Sequence, residues 1–131
     1  MLRNTLLTLL VSGISGIACA AHDVLTINET DFASTAFMNN SQCSSNIPGG
    51  SGITEAHNKS QISGWMVGLA CMGNSNHCVA EIYLDRDCKG TPIGTVIFDT
   101  TSGFISKQMT DPNYNIDVVD GFTFILKKSG T

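Results

Sequence analysis

The chain has 131 residues, 42% of them apolar, with 11 acidic and 7 basic side chains and a formal charge of −4. That length supports one modest core and no second domain. The acidic balance excludes a basic nucleic-acid-binding surface, which needs clustered Lys and Arg.

The first predicted element is an export signal over residues 1–20. Met1-Leu2-Arg3-Asn4 is a short positive start, and an apolar stretch follows from Thr5 to Ile17. Ala18-Cys19-Ala20-Ala21 then supplies small residues three and one before a cut after Ala20. Its removal leaves a single exported domain, residues 21–131, with 111 residues and a charge of −5, because Arg3 departs. No later apolar run approaches the ~20 residues that span a bilayer, so no membrane-spanning helix is expected. Two other cuts carry chemistry. Gly16-Ile17-Ala18-Cys19 is a degenerate lipobox whose use would anchor Cys19 to a membrane surface. A cut after Ala21 would expose His22, whose free amine and imidazole together favour copper. Cutting after Ala20 makes His22 the second residue and breaks that chelate.

Residues 24–27 read as a first strand, apolar and β-branched, and residues 31–38 as a second with Phe32 and Phe37 on opposite faces. Residues 39–54 turn to Asn, Ser and Gly around Pro48-Gly49-Gly50-Ser51-Gly52 and form a long loop. One helical turn capped by Thr54 is expected over residues 54–60. Residues 62–71, alternating around Trp65, Val67 and Leu69, are expected as a strand, with residues 78–84 as its return partner. Further strands are expected at residues 93–98, 104–109, 114–119 and 122–126. The last two flank Asp120-Gly121, a strong signal for a tight hairpin turn. Strands every 8–12 residues without a helical period predict an all-β fold, a small antiparallel β-sandwich or Greek-key barrel.

There are five cysteines, and removal or lipidation of Cys19 leaves Cys43, Cys71, Cys78 and Cys88. An even set fits two disulfides in an oxidising compartment, and three pairings are possible. The 62–84 hairpin places Cys71 opposite Cys78. Cys78 and Cys88 are separated by a whole strand at ~3.3 Å per residue, beyond the ~7 Å reach of a disulfide. The expected pairs are therefore Cys71–Cys78 and Cys43–Cys88.

Sites for chemistry are sparse. Cys71, His77 and Cys78 fail as a zinc set, because adjacent residues of a strand face opposite ways and no CxxC pair exists. Asp85-x-Asp87-x-x-Gly90 resembles the start of a calcium loop, but Lys89 and Val96 stand where ligands are needed. His57 and His77 are the histidines available inside the domain for a Ser-His-Asp arrangement, and no Gly-x-Ser-x-Gly elbow occurs. Asn28, Asn39 and Asn58 begin N-glycosylation sequons, meaningful only in a eukaryotic source. Neither a catalytic set nor a cofactor or metal site is assigned.

Leu69-Ala70-Cys71, Cys78-Val79-Ala80-Glu81-Ile82-Tyr83, Cys88-Lys89-Gly90, Ile93-Gly94-Thr95-Val96 and Tyr114-x-Ile116 together resemble a group of small exported proteins of gammaproteobacteria, some of which live inside host cells. The likeness extends to Ile27-Asn28-Glu29-Thr30 and implies export across the inner membrane, with no catalytic residue to carry over. Tyr83-x4-Cys88-x-Gly90 and the hairpin from Ile116 to Phe124 are also similar in part to the βγ-crystallin Greek key. Cys88 stands in place of that motif's second aromatic residue, which leaves its calcium site without support.

The sequence is read as an exported, periplasmic or secreted, disulfide-braced monomer. It is non-enzymatic and binds a partner, either a host protein or an envelope component. The alternatives are a metal protein using a processed terminus near His22 and a small secreted hydrolase. Exposed aromatics near Trp65 or in the 39–54 loop would favour partner binding, since loops on rigid sandwiches commonly carry recognition.

Overall fold

In Gly94–Asp99 the buried positions fall on every second residue, with Val96 and Phe98 turned to the interior. Period-two burial of this kind is what a strand with one face on a core produces. From the other side of the interior, Ile116, Phe124 and Leu126 face it, and the Phe98 and Phe124 rings meet at 6.2 Å between centroids. The computed structural model describes residues 21–130. The predicted signal, including Cys19, lies outside the described residues.

The strands are β1 (Val24–Asn28), β2 (Thr35–Met38), β3 (Gln42–Cys43), β4 (Asn58–Ile62), β5 (Cys78–Tyr83), β6 (Gly94–Asp99), β7 (Gly103–Met109), β8 (Tyr114–Val119) and β9 (Thr123–Lys128), with one helix, α1 (Gly64–Ala70), between β4 and β5. They form a four-stranded sheet in the order β4-β1-β9-β8 and a five-stranded sheet in the order β3-β2-β5-β6-β7. The expected all-β sandwich with two disulfides is therefore what the chain forms. Its two sheets are separate rather than closed into one barrel. One pairing departs from the antiparallel rule: β1 and β9 run parallel, with Leu25 opposite Thr123 and Asn28 opposite Leu126.

Both expected disulfides are present, with Cα–Cα separations of 5.9 Å for Cys43–Cys88 and 5.4 Å for Cys71–Cys78. Cys71 reaches its partner from a helix, however, and not from a strand. Residues 64–70 place Gly64, Val67 and Ala70 inward at a helical spacing. Trp65 and Leu69 share a face under either period, so seven residues left the two readings close. The expected helical turn over residues 54–60 is also absent. Thr54 bridges to Ser34, and Asn58–Ile62 pairs antiparallel with β1, so tertiary pairing overrides a weak local cap signal. The second strand starts at Thr35 rather than residue 31, which leaves Phe32 outside it and 55% exposed. The Asp120-Gly121 turn is as expected. Both residues have positive φ, 55° and 85°, and Asp120 Oδ1 accepts the Phe122 N–H at 3.1 Å.

A buried polar cluster fixes the chain between β1 and β4. Asn28 donates its amide to the carbonyls of Phe32 and Thr54, at 2.7 and 3.1 Å, and accepts from the Thr30 N–H and hydroxyl. These groups are satisfied within the fold, so their burial costs little.

Candidate interaction surface

Helix α1 begins at Ser63 with no side-chain cap of its own. Asp23, just before β1, supplies the cap: its Oδ1 accepts the Gly64 N–H at 2.7 Å. At the other end the Cys71–Cys78 disulfide ties the helix to β5, and both cysteines are fully buried. The inward face is thus Gly64, Val67, Ala70 and Cys71.

The outward face is apolar as well. Trp65, Leu69 and Met72 are 64%, 46% and 68% exposed. They are spaced four and three residues apart, which sets them on one side of the helix and its C-terminal turn. Residues 60–80 contain no Asp, Glu, Lys or Arg, so the stripe lies in an uncharged stretch of sequence. A rigidly held apolar stripe with an aromatic member has the residue types of an interface centre. Trp65 stands out in the sequence as its one tryptophan. Leu69 and Met72 become its companions only once the helical period replaces the strand period.

The long loop behaves differently from its composition. Ser44 is buried: its hydroxyl donates to the Gly52 carbonyl at 2.6 Å and accepts the Ala36 N–H at 2.9 Å. Ser34 and Thr54 exchange both backbone hydrogen bonds, at 2.8 and 2.9 Å. The loop is folded inward on the sheet and pinned through Cys43 to Cys88. It brings no aromatic residue to the surface.

The other sequence candidates lie apart in function. The backbone N–H of His22 donates to the Thr100 carbonyl at 2.8 Å, and its ring stacks on Phe122 at 4.4 Å. His57 pairs with Asp31 at 2.7 Å with both side chains more than 60% exposed, and His77 is an exposed turn residue whose N–H bonds to Asn74. The disulfide takes both sulfurs of the Cys71, His77, Cys78 set. Asp85 Oδ2 accepts the N–H groups of Asp87 and Lys89, and these bonds, Asp87's first, hold its carboxyl below the usual range. Asp87 accepts the Ser45 hydroxyl at 2.7 Å. The acidic turn is therefore braced by the chain itself. Among the described residues no three His, Cys, Asp or Glu side chains converge as a metal site. Of the three sequons, Asn28 is buried with its amide in use, while Asn58 is exposed at the start of β4.

Between the sheets lies a cavity of about 70 Å³, lined by residues that include Val24, Met38, Val67, Phe98 and Leu126. It is well under the ~300 Å³ at which small-molecule pockets begin. No helix among the described residues is long and apolar enough to cross a membrane.

Comparison with known proteins places this architecture. The crystal structure of the Legionella pneumophila type II secretion system substrate NttC aligns with a TM-score of 0.66 at 23% identity, over 84% of this chain and 100% of that one. That likeness speaks for a shared fold. No curated protein matches. The sequence profile of the family described as T2SS substrate NttC matches residues 1–128. An exported, disulfide-braced β-sandwich was expected from the sequence, and the chain belongs to that family.

Proposed function

We propose that the protein is a non-enzymatic secreted binding module, delivered by type II secretion, whose α1 stripe docks on a host protein or envelope component. The observation that supports this reading is the exposure of Trp65, Leu69 and Met72 on a helix fixed at both ends. Complete burial of such side chains is worth about 1.5–3 kcal/mol each. A stripe held rigid before contact spends little of that on ordering. Because the stretch is uncharged, binding through it should depend weakly on salt.

The test is photo-crosslinking from position 65 in the secreted protein, with the medium and envelope fractions as bait. A specific adduct that is lost in the Met72→Asp variant supports the reading. Equal labelling from position 65 and from an exposed control position such as Gln108 rejects it. The metal and hydrolase readings draw no support from the positions of His22, His57 and His77.

A further inference from the structure

We propose that the exported protein begins at Ala21, released by hydrolysis of the Ala20–Ala21 peptide bond, and that α1 carries a glycine seat shaped to hold that residue. The inference concerns processing and does not depend on the partner-binding reading.

Three consecutive residues are held by tertiary contacts. At Gly64 there is no room for a side chain: a Cβ there would lie 2.2 Å from the Ala21 carbonyl oxygen. One turn on, a Cβ at Gly68 would stand 3.7 Å from the Ala21 Cβ, an ordinary contact. The next residue, His22, donates its N–H to Thr100 just past β6 and stacks on Phe122 just before β9. Asp23 then accepts the Gly64 N–H through Oδ1 and the Gln61 amide through Oδ2 at 2.8 Å. Residues 21–23 thus join α1 and β4 to the ends of strands in both sheets.

The seat separates a cut after Ala21 from the two that leave Ala21 in place. Hydrolysis after Ala20 adds the water hydroxyl to the Ala20 carbonyl carbon and a proton to the departing Ala21 nitrogen, and it keeps every contact above. The peptidase required is one that reads small side chains at Ala18 and Ala20. A cut after Ala21 removes the carbonyl that packs on Gly64 and leaves the seat vacant. Lipidation at Cys19 would keep the same contacts; the small residues at Ala18 and Ala20, with Gly16 in the lipobox, favour the cut after Ala20 over it.

Gly is a poorer helix former than Ala, so without a seat alanine at either position should stabilise α1. With the seat, the two glycines behave oppositely. In oxidised protein that starts at Ala21, Gly64→Ala should lower Tm by about 5 °C or more, while Gly68→Ala should not lower it. In protein that starts at His22, the Gly64→Ala loss should shrink by at least half. N-terminal sequencing and intact mass of the natural exported protein should give Ala21 as the first residue. A lipid-modified Cys19, a His22 start or a retained signal overturns the proposed cut. A Gly64→Ala shift of equal size in both backgrounds overturns the seat.

Discussion

Two segments bridge the strands of this sandwich, and they reverse what their compositions suggest. The polar 39–54 loop turns two of its hydroxyls inward: Ser44 and Thr54 are buried and hydrogen-bonded. The apolar 63–72 segment turns part of its bulk outward, at Trp65, Leu69 and Met72. Only Gln42–Cys43 of this segment pairs in a sheet and two short 3-10 turns follow, so side chains such as Ser44 meet part of its backbone hydrogen-bonding need. A helix of seven residues covers the core with one face only. The apolar residues on the other face are then left to solvent or to a partner, and large exposed apolar groups that cluster are the informative ones.

Each segment is tied by one disulfide, and removing these gives the largest effects. Replacing Cys43 and Cys88 together with Ala should cost about 4 kcal/mol, since that bond closes the longer loop. The same change at Cys71 and Cys78 should cost about 2.5 kcal/mol from loop closure, and more where the buried sulfurs leave voids. Chemical denaturation of the two variants checks the order. Equal losses would mean that the 39–54 loop is held mainly by its hydrogen bonds. Ser44→Ala probes those bonds directly and should cost about 1–2 kcal/mol, because the Ala36 N–H and the Gly52 carbonyl both lose a partner. In the helix, Trp65→Ala should change stability by no more than about 0.5 kcal/mol, as surface positions do. It should weaken capture of the partner at least about tenfold, as loss of an interface anchor does. A large stability loss at Trp65 would reassign the stripe to the core.

The smallest expected effect is acidic. The Thr101 N–H and then its hydroxyl, together with the Ser102 N–H, hold Asp99 below its ordinary value of 3.8, as the turn N–H groups do for Asp85. A carboxyl depressed in the folded state stabilises it above the unfolded pKa and loses that contribution as pH falls through the folded one. Tm should therefore be flat from neutrality to about pH 4 and decline below it. Asp99→Asn should flatten part of the decline. Both groups lie at the surface, only partly buried, so the change is slight.

Much of this molecule was legible in its sequence, and the boundary has a physical cause. Strands β5 to β9 and the Asp120-Gly121 turn follow from local alternation and local turn chemistry. The disulfide pairing was legible because strand length keeps Cys78 from Cys88 and the short 72–77 connection returns the chain from Cys71 to Cys78. It survived an error in the element before it, since a six-residue connection brings Cys71 to Cys78 from either a helix or a strand. Helix α1 was not legible, because Trp65 and Leu69 fit both periods over so short a span. Nor was β4, whose residues pair with β1 through contacts such as Thr26 with Ser60 that no local pattern announces. The stripe at Trp65 was half visible: the aromatic was marked, and its neighbours waited on the correct period.

The parallel pairing of β1 with β9 bears on the order in which such a chain folds. The first of the nine strands has the last as its neighbour, with Leu25 opposite Thr123. The other neighbour of β1, β4, lies much nearer in the chain, and the sheet β3-β2-β5-β6-β7 uses neither β1 nor β9. Contacts between distant parts of a chain form late and slowly. Closure of the four-stranded sheet by β9 is therefore expected to follow assembly of the five-stranded one.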